Sequence, residues 1–220
     1  MRNALSLAWT LARRGADPGT IVNWLEYRRA LRGCTSLLDV GCGPESSARQ
    51  LGFERLVGID GYPPSVATAR RDRTHDEVLQ GDIRELDTVT GPAQFDACMA
   101  LDVIEHLSKE DGHRLMESME RASRKLVLFF TPKGFLPQHH AASDDLQEHL
   151  SGWEPHEMRA RGYRVVGMLG PKKLRGEYHR LKYRPRVFWS LVSVACHFLW
   201  TRWHPESAAA ILCIKRTNHP

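Results

Sequence analysis

From residue 36 onward the hydrophobic pattern changes period again and again. Short apolar runs alternate with stretches whose apolar residues recur every three or four positions. SLLDVG (36–41), RLVGID (55–60), EVLQGD (77–82), FDACMAL (95–101), RKLVLFFTP (124–132), YRVVGML (163–169) and AAAILCIKR (208–216) have the length and apolar density of buried strands. Helices are expected between them at 45–52, from Pro64 to about Arg71, from about Lys109 to Ser123, and at 154–161. Pro64 suits a first helical turn, and Leu115, Met116, Met119 and Ala122 share one helical face. Strands alternating with helices predict an α/β fold, a mostly parallel sheet covered on both faces. Its ligand should lie beyond the carboxyl ends of the strands.

The candidate chemistry sits at those strand ends. In LLDVGCGPES (37–46), Gly41 and Gly43 allow a sharp turn and a close backbone approach to a ligand. Glu45 stands where a dinucleotide loop would have its third glycine. Asp60 ends the second run, placed to accept hydrogen bonds from two vicinal ribose hydroxyls. Gly81, Asp82 and Ile83 follow the third run, where a carboxylate can accept from an exocyclic amine. LDVIEHL (101–107) follows the fourth. Asp39, inside an otherwise apolar strand, has little structural excuse. Asp60, Asp82, Asp102 and Glu105 also read as cap, turn or first-turn acids, and Cys42 and Cys98 as small buried packers. As a set, Asp39, Glu45, Asp60, Asp82 and Asp102 ring the expected pocket, with no Lys or Arg in the strand-end motifs. Such a pocket suits a nucleoside that carries positive charge and no phosphates. S-adenosylmethionine meets that description and NAD does not.

Together LLDVGCGPES, VGID, QGDI, FDACMALDVIEHL and VLFFTPKGF resemble the class I S-adenosylmethionine-dependent methyltransferases. More narrowly, they are similar to the bacterial small-molecule type with a DVIEHL segment, over about residues 35–170. The resemblance implies a Rossmann-like seven-stranded sheet ordered 3-2-1-4-5-7-6 with strand seven antiparallel. It also implies S-adenosyl-L-methionine as cofactor and S-adenosyl-L-homocysteine as product. By motif position, Asp39, Gly41 and Gly43 would hold the methionine end, Asp60 the ribose, and Asp82 and Ile83 the adenine. Leu101 would meet the methionine ammonium through its backbone. Cys42, Gly61 and Asp102, in the same segments, complete the expected cofactor-binding set. Glu45 departs from the three-glycine form of the loop.

Methyl transfer from a sulfonium is an in-line displacement that needs positioning, and a base only for a protonated acceptor. Histidine serves as a base near neutral pH. His106 and His149 are the catalytic candidates, and the His139–His140 pair is a further one. Residues 101–107 lack the Asn/Asp-Pro-Pro-aromatic run of nucleic-acid amino-methylating enzymes and the Pro-Cys of cytosine-C5 enzymes. The expected acceptor is a small molecule or a lipid- or glycan-linked metabolite. An RNA acceptor and a non-catalytic cofactor-fold binding module are the alternatives.

The 220 residues, 42% hydrophobic, are enough for one methyltransferase domain over 31–220. An N-terminal helical cap is expected over 1–30 and a basic, hydrophobic helical insertion at about 171–205. MRNALSLAWTLARRG carries its charge after its apolar core, unlike a secretory leader. Five cysteines without a CxxC pair indicate neither a zinc site nor a disulfide framework. No metal is therefore expected, and the reducing cytosol is. The net charge of +5 is concentrated in PKKLRGEYHRLKYRPR (171–186), with seven Lys/Arg and one Glu. The rest of the chain holds 24 basic and 25 acidic residues. That is a local patch, which argues against a surface coated for nucleic acid.

In VFWSLVSVACHFLWTRW (187–203), Ser190, Ser193, His197 and Thr201 fall on one helical stripe among apolar residues. As a helix, 187–201 is about 22 Å long, short of a bilayer's roughly 30 Å core. Two readings follow. The helix packs on the sheet or on a twin subunit in a homodimer. Or residues 171–203 dock the chain peripherally on the anionic inner face of a membrane.

Overall fold

The computed structural model describes residues 18–46, 48–137, 148–176 and 180–217. The N-terminal part of the expected cap (residues 1–17) and the His139–His140 pair lie outside the described residues. The chain begins with helix α1 (Pro18–Ala30), followed by β1 (Ser36–Val40), β2 (Arg55–Asp60), α2 (Pro63–Arg71), β3 (Glu77–Gln80), β4 (Phe95–Leu101) and α3 (Lys109–Ala122). Next come β5 (Ser123–Pro132), α4 (Pro155–Ala160), β6 (Arg164–Pro171), α5 (Arg186–Cys196) and β7 (Ala208–Arg216). The sheet order is β3-β2-β1-β4-β5-β7-β6, as expected. β7 runs antiparallel between β5 and β6, with Phe129 opposite Cys213 and Val166 opposite Leu212. The helix expected at 45–52 is only a 3₁₀ turn at Ala48–Leu51. Positive φ at Gly41, Gly43 and Gly52 brackets the segment, and Pro44 removes a donor, so too few residues remain for α-helical turns.

Alternation along the strands divides the core between the two faces of the sheet. Leu37, Leu128 and Phe130 face α1, where Trp24, Tyr27 and Leu31 complete one cluster. Leu38, Val127 and Phe129 face the other way, onto Leu115, Met116 and Met119 of α3 and the fully buried Trp153. Gly112 in α3 makes room for that indole: a Cβ there would stand 2.5 Å from Trp153 Cζ2.

α5 reverses the usual polarity of a packed helix. Its polar stripe faces the protein: Ser190, Ser193, His197 and Thr201 are all buried. The apolar side of α5 and of the turn that follows it faces outward, with Val187 73%, Leu199 80% and Trp203 67% exposed, beside Phe188, Leu191, Phe198 and Trp200. The cause is a glycine seam in β6. A Cβ at Gly167 would stand 1.9 Å from the Thr201 carbonyl oxygen, and one at Gly170 would stand 2.5 Å from Ser193 Oγ. At that separation only small side chains fit, and the strand's own carbonyl needs a donor. Ser193 Oγ donates to Leu169 O at 2.8 Å, and Arg175 Nε donates to the same oxygen at 2.7 Å.

α1 is latched to the π turn that follows α5 (His197–Thr201) through the buried Glu26. Arg202 Nη2 donates to its carboxylate at 3.0 Å, and His197 Nε2 lies 3.8 Å away. Burial pushes the Glu26 carboxyl up, but His197 and the Arg202 charge outweigh it and hold it below its ordinary value. A depressed carboxylate adds stability that is complete above its unfolded pKa of about 4.3 and is lost as pH falls toward the folded value. Glu26→Gln is therefore expected to flatten the acid limb of the stability–pH curve below about pH 5. Urea titrations at pH 3 to 7 measure this; a parallel curve for the variant removes Glu26 from the latch.

Candidate functional site

The turn after β1 is held by its own backbone N–H groups, which donate to β2. Gly41 N and Cys42 N both donate to Ile59 O, at 2.8 and 3.1 Å. Gly43 N donates to Asp60 Oδ2 at 2.9 Å. A phosphate loop aims such N–H groups at its anion, whereas these three are spent inside the fold. The turn thus offers close approach without donors for a phosphate. Gly41 takes φ +66, and a Cβ there would meet Val103 Cγ2 at 2.5 Å, so the turn and the β4 end need a bare glycine. Glu45 lies just past these contacts and is exposed. The Cys42 side chain packs with Val66, Ala69 and Val78. Burial, with Asp39 and Asp60 nearby, pushes its thiol far up, and Cys98 is fully buried too, so neither is a nucleophile.

Asp39 is buried and engaged through one oxygen. Oδ2 accepts from Ser46 Oγ at 2.6 Å and stands 3.1 Å from His75 Nε2, while His75 Nδ1 meets Thr74 Oγ1 at 2.9 Å. His75 has no signal in the sequence; it fits beside β2 because Gly58 has no side chain. Asp60 ends β2 with each oxygen accepting one backbone N–H, from Gly43 and from Tyr62. Gly61 beside it is exposed.

Asp82 caps the 3₁₀ turn Ile83–Thr88 by accepting from Arg84 N, and Arg84's guanidinium grips both carboxylate oxygens. That hydrogen bonding holds Asp82 below its ordinary pKa against the pull of burial. A cation thus stands against a strand-end acid, which the strand-end motifs themselves did not contain.

β4 ends at Leu101, and Asp102 follows at φ +52, its N–H donating to Phe130 O at 2.9 Å. An aspartate tolerates this left-handed conformation better than most residues. Glu105, expected as a first-turn acid, is instead buried against β5, where Thr131 Oγ1 donates to its Oε2 at 3.0 Å. Burial, then the Asp102 charge, pushes its carboxyl well up. His106 and His149, 43 residues apart, come together with ring centroids 4.8 Å apart, edge to face.

Leu101 and Asp102 also line a cavity of about 880 Å³. α1 contributes Asn23, Trp24 and Tyr27, α5 contributes Arg186, Val187 and Ser190, and Arg175 and Arg180 lie between them. Burial and the Asp102 carboxylate push the Tyr27 phenol well up, so it stays an O–H donor. Arg175, Arg180 and Arg186 belong to the basic segment 171–186 that the sequence already set apart; Tyr27 did not stand out, because only the fold brings α1 beside them.

Residues 38–130 match the family model of a methyltransferase domain. No curated protein matches the chain. The fold is similar to a SAM-dependent methyltransferase from Archaeoglobus fulgidus, at 14% identity and TM-score 0.57 over 89% of this chain and 92% of that one. It is similar to the complex between the Haloferax volcanii Trm112 methyltransferase activator and its methyltransferase partner, at 17% identity and TM-score 0.57 over 97% and 96%. A third likeness is to magnesium protoporphyrin IX methyltransferase from Synechocystis with bound SAM, at 14% identity and TM-score 0.50 over 97% and 80%. A glycine turn with no donors for phosphate and acids at successive strand ends agree with that match: residues 38–130 carry a methyltransferase domain, on a fold shared with S-adenosylmethionine-dependent methyltransferases.

Proposed function

We propose that the chain methylates an amphiphilic, anionic acceptor, a small molecule or lipid-linked metabolite, reached from the α5 side. The 880 Å³ cavity between the β4 end and α5 carries this reading. Its Trp24, Phe130 and Leu169 suit an apolar body, and Arg175, Arg180 and Arg186 suit a carboxylate or phosphate.

In this reading Asp60 takes the ribose hydroxyls of S-adenosylmethionine, and Asp82 with Ile83 meets the adenine. Gly41, Cys42, Gly43 and Gly61 lie along the cofactor through their backbones, and Asp39 holds the turn in shape through Ser46. Leu101 and Asp102 meet the methionine end. His106 and His149 supply the polar chemistry beside the acceptor.

The exposed apolar face of α5 and its turn is the docking surface for an anionic bilayer. Large exposed apolar patches on a soluble surface mark interaction sites. Lys172, Lys173, Lys182, Arg184 and Arg186 precede the aromatic face directly, complementary to acidic headgroups. Among the described residues no helix is long and apolar enough to cross a membrane, which leaves a surface mode. An acceptor held in the bilayer would then reach the cavity without leaving the lipid.

The full chain is incubated with methyl-labelled S-adenosylmethionine and, in parallel, a lipid extract, a water-soluble metabolite pool and RNA. Label is expected in the lipid or metabolite fraction. Label confined to RNA, with RNA retention falling steeply as salt rises, overturns the reading. In sedimentation, vesicles with anionic lipid are expected to retain the chain at least tenfold better than neutral ones. Leu199→Ser with Trp203→Ser should abolish that preference. Equal retention on both vesicle types, or none on either, counts against the surface.

A further inference from the structure

The turn Ile104–His106 and the segment 148–153 are fastened together. Glu105 O accepts from Leu150 N and Ser151 N at 2.8 and 3.0 Å, and Ile104 O accepts from Ser151 Oγ and Trp153 Nε1. This stitching brings one potential ligand atom from each of Glu105, His106 and His149 within 4.8 Å of the other two. Both imidazoles are oriented in the same way. His106 Nδ1 faces Glu148 O at 3.1 Å and His149 Nδ1 faces Leu136 O at 2.7 Å. A carbonyl only accepts, so in the neutral ring Nδ1 carries the proton and Nε2 carries the lone pair. Metal-binding histidines are held in this way, with the far N–H on a backbone carbonyl or carboxylate. Glu105 adds a buried carboxylate whose position is set by the Thr131 hydroxyl. A buried carboxylate is stabilised best by a cation.

We propose that Glu105, His106 and His149 form a divalent-metal site at the edge of the methyl-donor pocket, suited to a first-row ion such as Mn²⁺ or Zn²⁺. Ligand atoms about 2.0–2.2 Å from an ion lie at most roughly 4.4 Å apart. The 4.8 Å cluster therefore closes with side-chain shifts of a few tenths of an ångström. Two imidazoles and one carboxylate leave open positions on such an ion. Asp102 touches Glu105 and lines the acceptor cavity, so the cluster borders that cavity. Cysteine spacing gave no hint of this site, because its ligands are a Glu-His dipeptide and a histidine on another segment.

The role of the ion rests on the methyl-transfer reading above: it would bind the acceptor through a hydroxyl oxygen. The O–H proton passes to water as the ion stabilises the oxyanion. The oxygen lone pair then forms the O–CH₃ bond, and the C–S⁺ bond breaks with its electron pair left on sulfur.

Mn²⁺ titrated into the chelator-treated full chain, followed by loss of the free-ion electron paramagnetic resonance signal, tests the site. One ion per chain is expected. Glu105→Gln, which keeps the volume and the Thr131 contact, should weaken it at least tenfold, as should His149→Gln. His204→Ala, an exposed histidine elsewhere, should leave it unchanged. Mn²⁺ that stays free at millimolar concentration, or binds wild type and both ligand variants alike, overturns the proposal. S-adenosylhomocysteine calorimetry on the wild-type chain reads the cofactor pocket separately. A chain that binds Mn²⁺ but not the cofactor product keeps the metal site and loses the methyl-transfer reading.

Discussion

Asp60→Ala is expected to weaken S-adenosylmethionine binding on the order of 100-fold, about 2.7 kcal/mol. Each Asp60 oxygen already accepts one backbone N–H, from Gly43 and Tyr62, at 2.9 and 2.8 Å. A carboxylate oxygen accepts more than one hydrogen bond, so each keeps capacity for one of two vicinal hydroxyls. Bonds to an ionised acceptor contribute about 1.5–3 kcal/mol each; alanine removes both, and water that takes the carboxylate's place recovers part of the loss. The same substitution strips Gly43 N–H of its partner at the turn that approaches the ligand. A modest drop in melting temperature should therefore accompany the affinity loss, and the circular dichroism of the folded state should be retained. Asp60→Asn separates the two effects. It keeps the volume but turns an N–H toward either the backbone or the ribose, so affinity should still fall at least tenfold. Calorimetry with S-adenosylmethionine measures both variants; unchanged affinity in Asp60→Ala removes the residue from the ribose role.

The strands were legible because their signals are local. β1, β2, β4 and β7 are apolar runs buried on both faces, and the helix expected from Pro64 begins one residue earlier, at Pro63, because proline's fixed φ suits a first turn. The strand-end residues were legible because the fold class says where ligands lie, so Asp39, Asp60, Asp82 and Asp102 could be picked out before their contacts were known. What those acids touch was not legible. Arg84 on Asp82 and His75 on Asp39 depend on side-chain reach, and His75, in the loop before β3, depends on a missing Cβ at Gly58 in β2. The meeting of His106 with His149 depends on the path of the segment between them, which no periodicity encodes. The polar stripe of α5 was plain in the sequence, but its direction was not. A serine stripe ordinarily faces water, and here it faces β6 because of two glycines some twenty to thirty residues upstream.

Those glycines give the second large effect. Gly167→Ala is expected to cost about 3 kcal/mol, lowering the melting temperature of this chain by roughly 6–12 °C. The new Cβ would stand 1.9 Å from the Thr201 carbonyl oxygen, 2.9 Å from its carbon and 2.9 Å from the Ala208 Cβ. Two of these three neighbours are backbone atoms, so no side-chain rotation relieves the clash. The strand is pinned as well, because Gly167 pairs with Ile211 in the sheet, and its N–H also donates to Arg202 O at 3.3 Å. The π turn must therefore back away from β6, and it carries Arg202 and His197 with it. The Glu26 latch to α1 then opens, leaving a buried carboxylate without its guanidinium, which adds to the cost. The polarity of α5 makes this loss hard to recover. Once lifted from the seam, the helix loses the Ser193 bond to Leu169 O and exposes its polar stripe, while its apolar side already faces outward. Thermal unfolding of Gly167→Ala beside Gly162→Ala checks the mechanism. Gly162 has positive φ, and its nearest neighbour is the flexible Lys215 Cε at 3.6 Å, so its cost comes from backbone strain alone, about 1 kcal/mol. If the two variants melt together, close approach at Gly167 does not hold α5 in place.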